Sequence, residues 1–536
     1  DGGFADLRRS HSLGRGMAHH RLVSLRQTAP WSSRFAPLPS AFLVVAVVIV
    51  PLIVLVVETV DDPWSVWSRP GVTGAVWFSI WQGALSTFIT LAVGLVPTWI
   101  LARFPVRGRP ILMAVFTAPF VLPTVVVGAA FLALLPTSLD RSLVAILLAH
   151  VFFNVSVVVR TVLPVWRSMD ENLLAAARTL GADPLKVWRG VTWPLLRPAI
   201  LSAASLVFVM CATSYGVIRV LGSGWSTVDV EIYRRAVALG DVSGAAVLAA
   251  VQALVVITAL TMWSRRSSEW AVLSTTIPTR RRRPALEVLV WIIGLAFLVP
   301  IAALAATSLR SSTGWSLAGW RNLFGLTESR LPDTKIVEAV TNSAVYAVVA
   351  AGIAVPTGLS LARSAARRPR RWLTAIVDAP IGVSAVAVGL GILITYDVDP
   401  IDVRASWWLV PVVHASVALP FVVRSAVPLI RSIPSGLGEA AATLGASPWR
   451  RWVHVELPLL RPAVTAASAF SLAMSLGEFG ATSFLTRRDT TTLPILVESL
   501  LSRPGSLSVM TGSATAVLLL VVTGGLVVLV DRRTPT

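Results

Sequence analysis

The sequence predicts an all-α, polytopic membrane protein of about twelve transmembrane helices in two tandem six-helix halves. Three observations carry that expectation. The chain of 536 residues is 55% hydrophobic and only 14% charged, with a mean hydropathy of +0.75, too apolar for a soluble multidomain protein. Its apolar runs approach the roughly 20 residues that a bilayer crossing requires. The stretch Leu173 to Ala199, LLAAARTLGADPLKVWRGVTWPLLRPA, returns at Leu437 to Ala463 as LGEAAATLGASPWRRWVHVELPLLRPA, identical at 16 of 27 positions with a constant offset of 264 residues. Two copies so far apart mark a duplicated chain.

Residues 1–36 bear Arg and His without a core pattern and are expected to form a disordered cytoplasmic tail, with Met17 a candidate start. The first apolar run is long enough to span and has no convincing small-residue cleavage site, so it reads as a helix and not a cleaved signal. In the first half, 37–263, spans are expected at about 40–58, 77–101, 111–135, 142–165, 199–221 and 243–263. A basic segment, 264–285, includes TRRRRP at 279–284 and reads as a solvated linker with topogenic arginines, a lipid-headgroup site being the alternative. In the second half, 286–536, spans are expected at about 286–307, 338–362, 374–396, 406–429, 463–485 and 510–530.

Charge assigns the sides. Basic clusters at 103–109, 265–283, 363–371 and 532–533, with the tail and both repeated loops, fall on one face, which the positive-inside bias makes cytoplasmic. Asp61, Asp62, Asp140, Asp333, Asp397, Asp399 and Asp402 fall on the other, while Arg234, Arg235, Arg487 and Arg488 run against the trend. The formal charge of +19 is explained by this interleaving, and nucleic acid is not an expected partner. Cys211 is the sole cysteine, which excludes a disulfide framework and a thiolate metal cluster. The few histidines are scattered, and no nucleophile lies at suggestive spacing from a base, so catalytic and metal sites are not expected.

The repeat reaches beyond the loops: His150, Arg160 and Pro164 recur as His414, Arg424 and Pro428, and Met210, Gly216 and Leu221 as Met474, Gly480 and Leu485. Six helices in the same order and orientation form a parallel repeat whose axis runs along the membrane normal, with a translocation path between the halves. Within the spans, ionisable groups need a reason, because each costs about 2.5–3.5 kcal/mol at the midplane on insertion scales. Glu478 is the clearest acid in a span, placed toward the outer end of its helix. His150 and His414 match in position, and Asn154 lies one turn beyond His150. These four are the candidates for the path, with bonding to a neighbouring helix the alternative for each. Gly128, Gly389, Gly216 and Gly480 are small enough for helices to cross closely.

Each repeated loop, 171–198 and 435–462, reads as a helix, a glycine turn at Gly181 or Gly445, and a second short helix that stops near Pro194 or Pro458. The chain has two lysines, Lys186 and Lys335, and no Gly-x4-Gly-Lys-Ser/Thr to cradle phosphates, so it is not itself a P-loop ATPase. No cofactor is expected on this chain. Two like loops suit two copies of a soluble motor that hydrolyses ATP on another subunit. Ala176, Ala177, Ala440 and Ala441 keep a helix face slim for docking or for packing within the loop. Lys186, Arg189, Arg450 and Arg451 either face acidic rims of a motor or serve topology.

The second loop resembles the "EAA" cytoplasmic loop of binding-protein-dependent ABC importer permeases, with Glu439, Ala440, Ala441, Gly445, Leu457 and Pro458 in the pattern. The first departs from it, with Ala175 in the place of the Glu and Trp193 before Pro194. AHVFFNVSVVVR at 149–160, TSYGVIRVLGSGWSTVDVEIYRRA at 213–236 and SLGEFGATSFLTRRDTTTLPILVESLL at 475–501 are similar to fused, twelve-helix permeases of ferric-iron and thiamine importers. The resemblance implies a type I importer permease in the bacterial inner membrane, two copies of an ATPase grasping the loops, and an extracytoplasmic binding protein that delivers the cargo. Ferric iron or thiamine is the cargo it favours, although molybdate, sulfate and polyamine permeases share the GEFGAT-like segment. An ion-gradient-driven secondary transporter is the rival from another class; it would need paired intramembrane acids and no matching loops.

Overall fold

The computed structural model describes residues 38–59, 64–264, 281–311, 314–326, 336–367, 379–380, 383–398, 401–402, 406–487 and 489–531. The expected tail, most of the basic linker, Asp61, Asp62, Asp333, Asp399, Arg488, Arg532 and Arg533 lie outside the described residues.

The first half comprises α1 (Leu38–Val57), α2 (Val72–Arg103), α3 (Arg109–Thr117) with a 3₁₀ turn (Ala118–Val121), α4 (Thr124–Leu134), α5 (Leu143–Arg167), α6 (Glu171–Thr179), α7 (Pro184–Ala212), α8 (Gly216–Leu221), α9 (Val228–Tyr233) and α10 (Val242–Ser264). The second half follows the same order. It comprises α11 (Pro284–Thr307), α12 (Ala318–Leu323), α13 (Ile336–Arg367), α14 (Ala385–Thr395), α15 (Leu409–Ser432), α16 (Ser435–Thr443), α17 (Pro448–Leu459), α18 (Arg461–Gly477), α19 (Thr482–Leu485), α20 (Leu493–Ser502) and α21 (Ser506–Asp531). Two short antiparallel hairpins pair Arg310–Ser311 with Gly314–Trp315 and Asp397–Val398 with Ile401–Asp402.

Among the described residues nine helices are long and apolar enough to cross a membrane, and two bent pairs raise the number to eleven. The span expected at 374–396 is described mainly from 383 onward, as α14. Three expected spans are not straight rods. The one at 111–135 bends by 108° between α3 and α4, where Pro123 lacks an N–H and starts a new helix. The one at 199–221 breaks at 213–215 between α7 and α8, and the one at 463–485 breaks at 478–481 between α18 and α19.

The two prolines of the repeat behave differently: the short helix stops at Leu459, next to Pro458, as expected, whereas the helix through Pro194 does not stop there. A widened π turn, Trp188–Thr192, precedes Pro194, with Trp193 N–H donating to Trp188 O, and α7 then runs on to Ala212. The turn Trp452–Glu456 does the same before Pro458. A wider turn absorbs the missing donor and the bulk of the ring. In the second half the helix then breaks at Leu460 and bends by 76° into α18.

The two halves exchange their first helices. In α1, Ser40 Oγ donates to Thr357 O at 2.6 Å, Tyr396 OH donates to Ala46 O at 2.6 Å, and Val44, Val47 and Val48 join the apolar core of the second half. In α11, Trp291 Nε1 donates to Arg107 O at 3.2 Å, Glu287 accepts from Arg107 N, and Phe297 packs on Phe116 and Phe152 of the first half. Sequence halves are therefore not separate bodies. Small residues permit the tight crossings between elements: a Cβ on Gly216 would lie 2.2 Å from Thr124 Oγ1, and one on Gly389 would lie 2.8 Å from Ala481 Cα.

Candidate functional site

Two features stand out: a cavity between the halves and the pair of repeated loops. The cavity, about 230 Å3, forms where the spans break. From the first half the bend at Pro123, the α7–α8 break and α9 reach it, and from the second half the start of α14 and the α18–α19 break. Tyr215 and Phe479, at the same repeat position, stack on each other with ring centroids 5.0 Å apart and planes at 28°. Equivalent residues of two copies touch only at the axis that relates them, so the cavity sits on the pseudo-twofold axis.

Of the four residues singled out for a path, His150, Asn154 and Glu478 line the cavity, whereas His414 stands behind Glu478. The His150 ring is held by side chains of α2 and of the α7–α8 break: Nδ1 lies 2.7 Å from Gln82 Nε2 and 3.2 Å from Ser86 Oγ, and Nε2 lies 2.9 Å from Ser214 Oγ. Asn154 Nδ2 donates to His150 O at 3.0 Å and approaches Cys211 Sγ. In the second half His414 Nδ1 lies 2.7 Å from Ser475 Oγ, and Nε2 lies 2.8 Å from Thr482 Oγ1 and 3.3 Å from Glu478 Oε2.

Glu478 is the residue at which α18 stops. Its carboxylate accepts from the N–H groups of Ala481 and Thr482, each at 2.9 Å, and from the Thr482 hydroxyl. It thus satisfies backbone donors freed by the break and starts α19, which explains an acid there. Glu478 is a cap at a helix break and not a rung of a continuous span.

Sequence reasoning passed over three residues of the cavity. Asp229, Tyr215 and Ser384 line it, and Ser384 Oγ donates to Asp229 Oδ1 across the boundary between halves. An acid between valines, in Val228-Asp229-Val230, was the signal for the first. Two of the four arginines set against the charge trend are structural: Arg235 is buried, 2.9 Å from Glu231 and hydrogen-bonded to Asp241, while Arg234 pairs with Glu231 at 2.7 Å.

The repeated loops have closely similar geometry. Gly181 and Gly445 have φ of 81° and 80°, and each N–H closes the preceding helix onto Arg178 O or Ala442 O. Ala182 and Ala446 then bond back to Ala177 O and Ala441 O, at 3.1 and 3.0 Å. Asp183 and Ser447 cap the next turn by accepting from Lys186 N and Arg450 N. Ala176, Glu439 and Ala440 are exposed, as are Gly181, Gly445 and Pro194, whereas Ala177, Ala441 and Pro458 are half-buried. The turns present Leu180 and Leu444 at 87% and 88% exposure, flanked by Leu173, Leu185, Leu437 and Trp449. Large apolar side chains exposed at matching positions of both loops make these turns a candidate interaction surface.

Each loop is tied to its bundle by a different ion pair. Arg103 at the end of α2 reaches Glu171 at 3.7 Å. Arg363, its counterpart in α13, reaches Glu456 at 2.8 Å and lies 4.8 Å from the Trp452 ring centroid.

Comparison with known proteins agrees with this architecture. Residues 94–273 and 354–535 each match the model of the family described as binding-protein-dependent transport system inner membrane component. The chain is 27% identical over 493 residues to the thiamine transport system permease protein ThiP of Brucella abortus, covering 85% of this chain and 86% of that one. It is 25% identical to the probable ABC transporter permease protein y4fN of Sinorhizobium fredii, over 80% and 81% of the two chains. A putative 2-aminoethylphosphonate transport system permease protein, PhnV of Salmonella typhimurium, is 33% identical over 165 residues, 31% of this chain and 61% of its own. With the family's domain matched twice along one chain, this protein belongs to the inner membrane components of binding-protein-dependent transport systems, as a fused tandem permease of an ABC importer.

Proposed function

We propose that this permease carries thiamine, or a closely similar organic cation, from an extracytoplasmic binding protein across the inner membrane, driven by two copies of a separate ATPase. Both repeated loops and both termini face the cytoplasm in this reading. One observation supports the ATPase side above all: two turns with matching φ, each extending an exposed leucine. A motor that is itself a twofold dimer offers its groove twice and needs two such handles. Hydrolysis falls to the partner because this chain has no phosphate-binding loop.

Thiamine is preferred to the other cargoes because the relative with that printed name aligns along 85% of this chain, whereas the phosphonate relative aligns along 31%. Ferric iron has no such support, and no group of three His, Cys, Asp or Glu is gathered to hold a metal among the described residues.

The test is a double variant, Leu180→Asp with Leu444→Asp, in the assembled transporter. Both side chains are exposed, so the permease still inserts. Co-purification of the ATPase and thiamine uptake are expected to fall to background. Retained co-purification with both changes would contradict docking here.

A further inference from the structure

Two residues that line the cavity on the pseudo-twofold axis carry buried hydrogen-bond acceptors left open by the hydrogen bonds among the described residues. Asp229 is 1% exposed; its Oδ1 is taken by Ser384, while Oδ2 meets no well-aligned donor among the described residues. The Gln252 side chain lies beside that carboxylate and competes with a guest for it. Asn154, also 1% exposed, donates through Nδ2 and leaves Oδ1 without a partner. Burying an acceptor unpaired costs about 1–3 kcal/mol, and more where it is charged. With the Tyr215 hydroxyl, three lining residues carry such open polar atoms, and the two acceptors of Asp229 and Asn154 ask for donors from a guest.

The walls indicate what kind of guest. Tyr215 and Phe479 form one aromatic face, and Phe120 and Phe153, with ring centroids 5.8 Å apart, another. Met210 and Met474 supply adaptable, polarizable surface. Among the described residues, none that lines the cavity is a lysine or an arginine. The Arg160 guanidinium sits 6.0 Å from the Phe120 centroid, outside the lining. A carboxylate and aromatic rings attract a cation, by charge and by the ring quadrupole. They repel an anion, for which the cavity offers no compensating charge.

We propose that this cavity is a binding site within the permease for a cation bearing an aromatic ring, with Asp229 Oδ2 and Asn154 Oδ1 as its acceptors and Tyr215 and Phe479 as its ring platform. The site deepens the cargo reading above and rests on it for the identity of the guest. It differs from the loops in that both halves contribute different residues, Asp229 and Asn154 from one and Phe479 and Ser384 from the other. A single asymmetric ligand suits such a site.

The test uses the permease–ATPase complex in nanodiscs, without binding protein, and equilibrium binding of radiolabelled thiamine, with 2-aminoethylphosphonate and benzyltrimethylammonium as competitors. Saturable binding is expected, displaced by the ammonium compound and not by the phosphonate. Asp229→Asn is expected to weaken it by about tenfold or more, Asp229→Glu by less, and Phe479→Leu by a few-fold, with ATPase co-purification unchanged. Phe479→Leu keeps the test decisive if the Asp229 variants do not fold. No binding of thiamine together with Asp229-dependent binding of benzyltrimethylammonium would uphold the site and refute the cargo. Absence of binding by either cation, equal binding in Asp229→Asn and Phe479→Leu, or displacement by the phosphonate would overturn the proposal.

Discussion

At the same repeat positions the two halves surround the same histidine with different chemistry. His150 faces Gln82, Ser86 and Ser214, all neutral, whereas His414 faces Ser475, Thr482 and the carboxylate of Glu478. Ser214 and Glu478 differ in number by 264, the offset of the repeat, and so do Cys211 and Ser475. The backbone events are shared: both spans break at Ser214 or Glu478 and both loops turn at a glycine near φ 80°. Duplication has kept the breaks and turns that shape a permease and has let the lining of the axis diverge. A uniform pair of handles outside the core is thus combined with an uneven site inside it.

The sharpest way to probe this contrast is to truncate the matched residues at the breaks. Glu478→Ala leaves two buried N–H groups and His414 without their acceptor, and is expected to cost about 3–5 kcal/mol, seen as a large loss of monodisperse protein on heating in detergent. Ser214→Ala removes one neutral hydrogen bond and is expected to cost about 1 kcal/mol. Equal effects would mean that the two breaks are held in the same way, contrary to the hydrogen bonds seen.

A smaller difference separates the ties of the loops. Arg363→Ala breaks a short pair with a largely buried Glu456 and a stack on Trp452, with an expected loss of about 2 kcal/mol. Arg103→Ala breaks a longer contact to a Glu171 side chain that is 42% exposed, so solvent screening leaves under about 1 kcal/mol. Denaturant midpoints of the two variants check the order.

Much of this architecture was legible in the chain. The offset of 264, the two loops and eleven of the expected spans follow from hydropathy and self-similarity, because burial in lipid imposes long apolar runs and duplication copies them. What hydropathy does not register is a break satisfied by hydrogen bonds. Thr213 to Tyr215 and Glu478 to Ala481 lie inside apolar stretches, and the carboxylate that ends α18 looks in sequence like an isolated intramembrane acid. Pro194 misled for a related reason: a π turn before it accommodates the ring and lets α7 continue. Exchange of α1 and α11 depends on long-range packing, which adjacent sequence does not encode. Asp229 escaped notice because its span assignment, not its chemistry, placed it in a loop.

The handles themselves offer the most direct test. Cys211, the sole cysteine, is buried, so Leu180→Cys and Leu444→Cys each introduce one addressable thiol. In inverted membrane vesicles carrying the whole transporter, each is predicted to cross-link to a separate copy of the ATPase. Labelling of both positions only from the opposite side of the membrane, or their failure to reach the ATPase while uptake continues, would contradict the account.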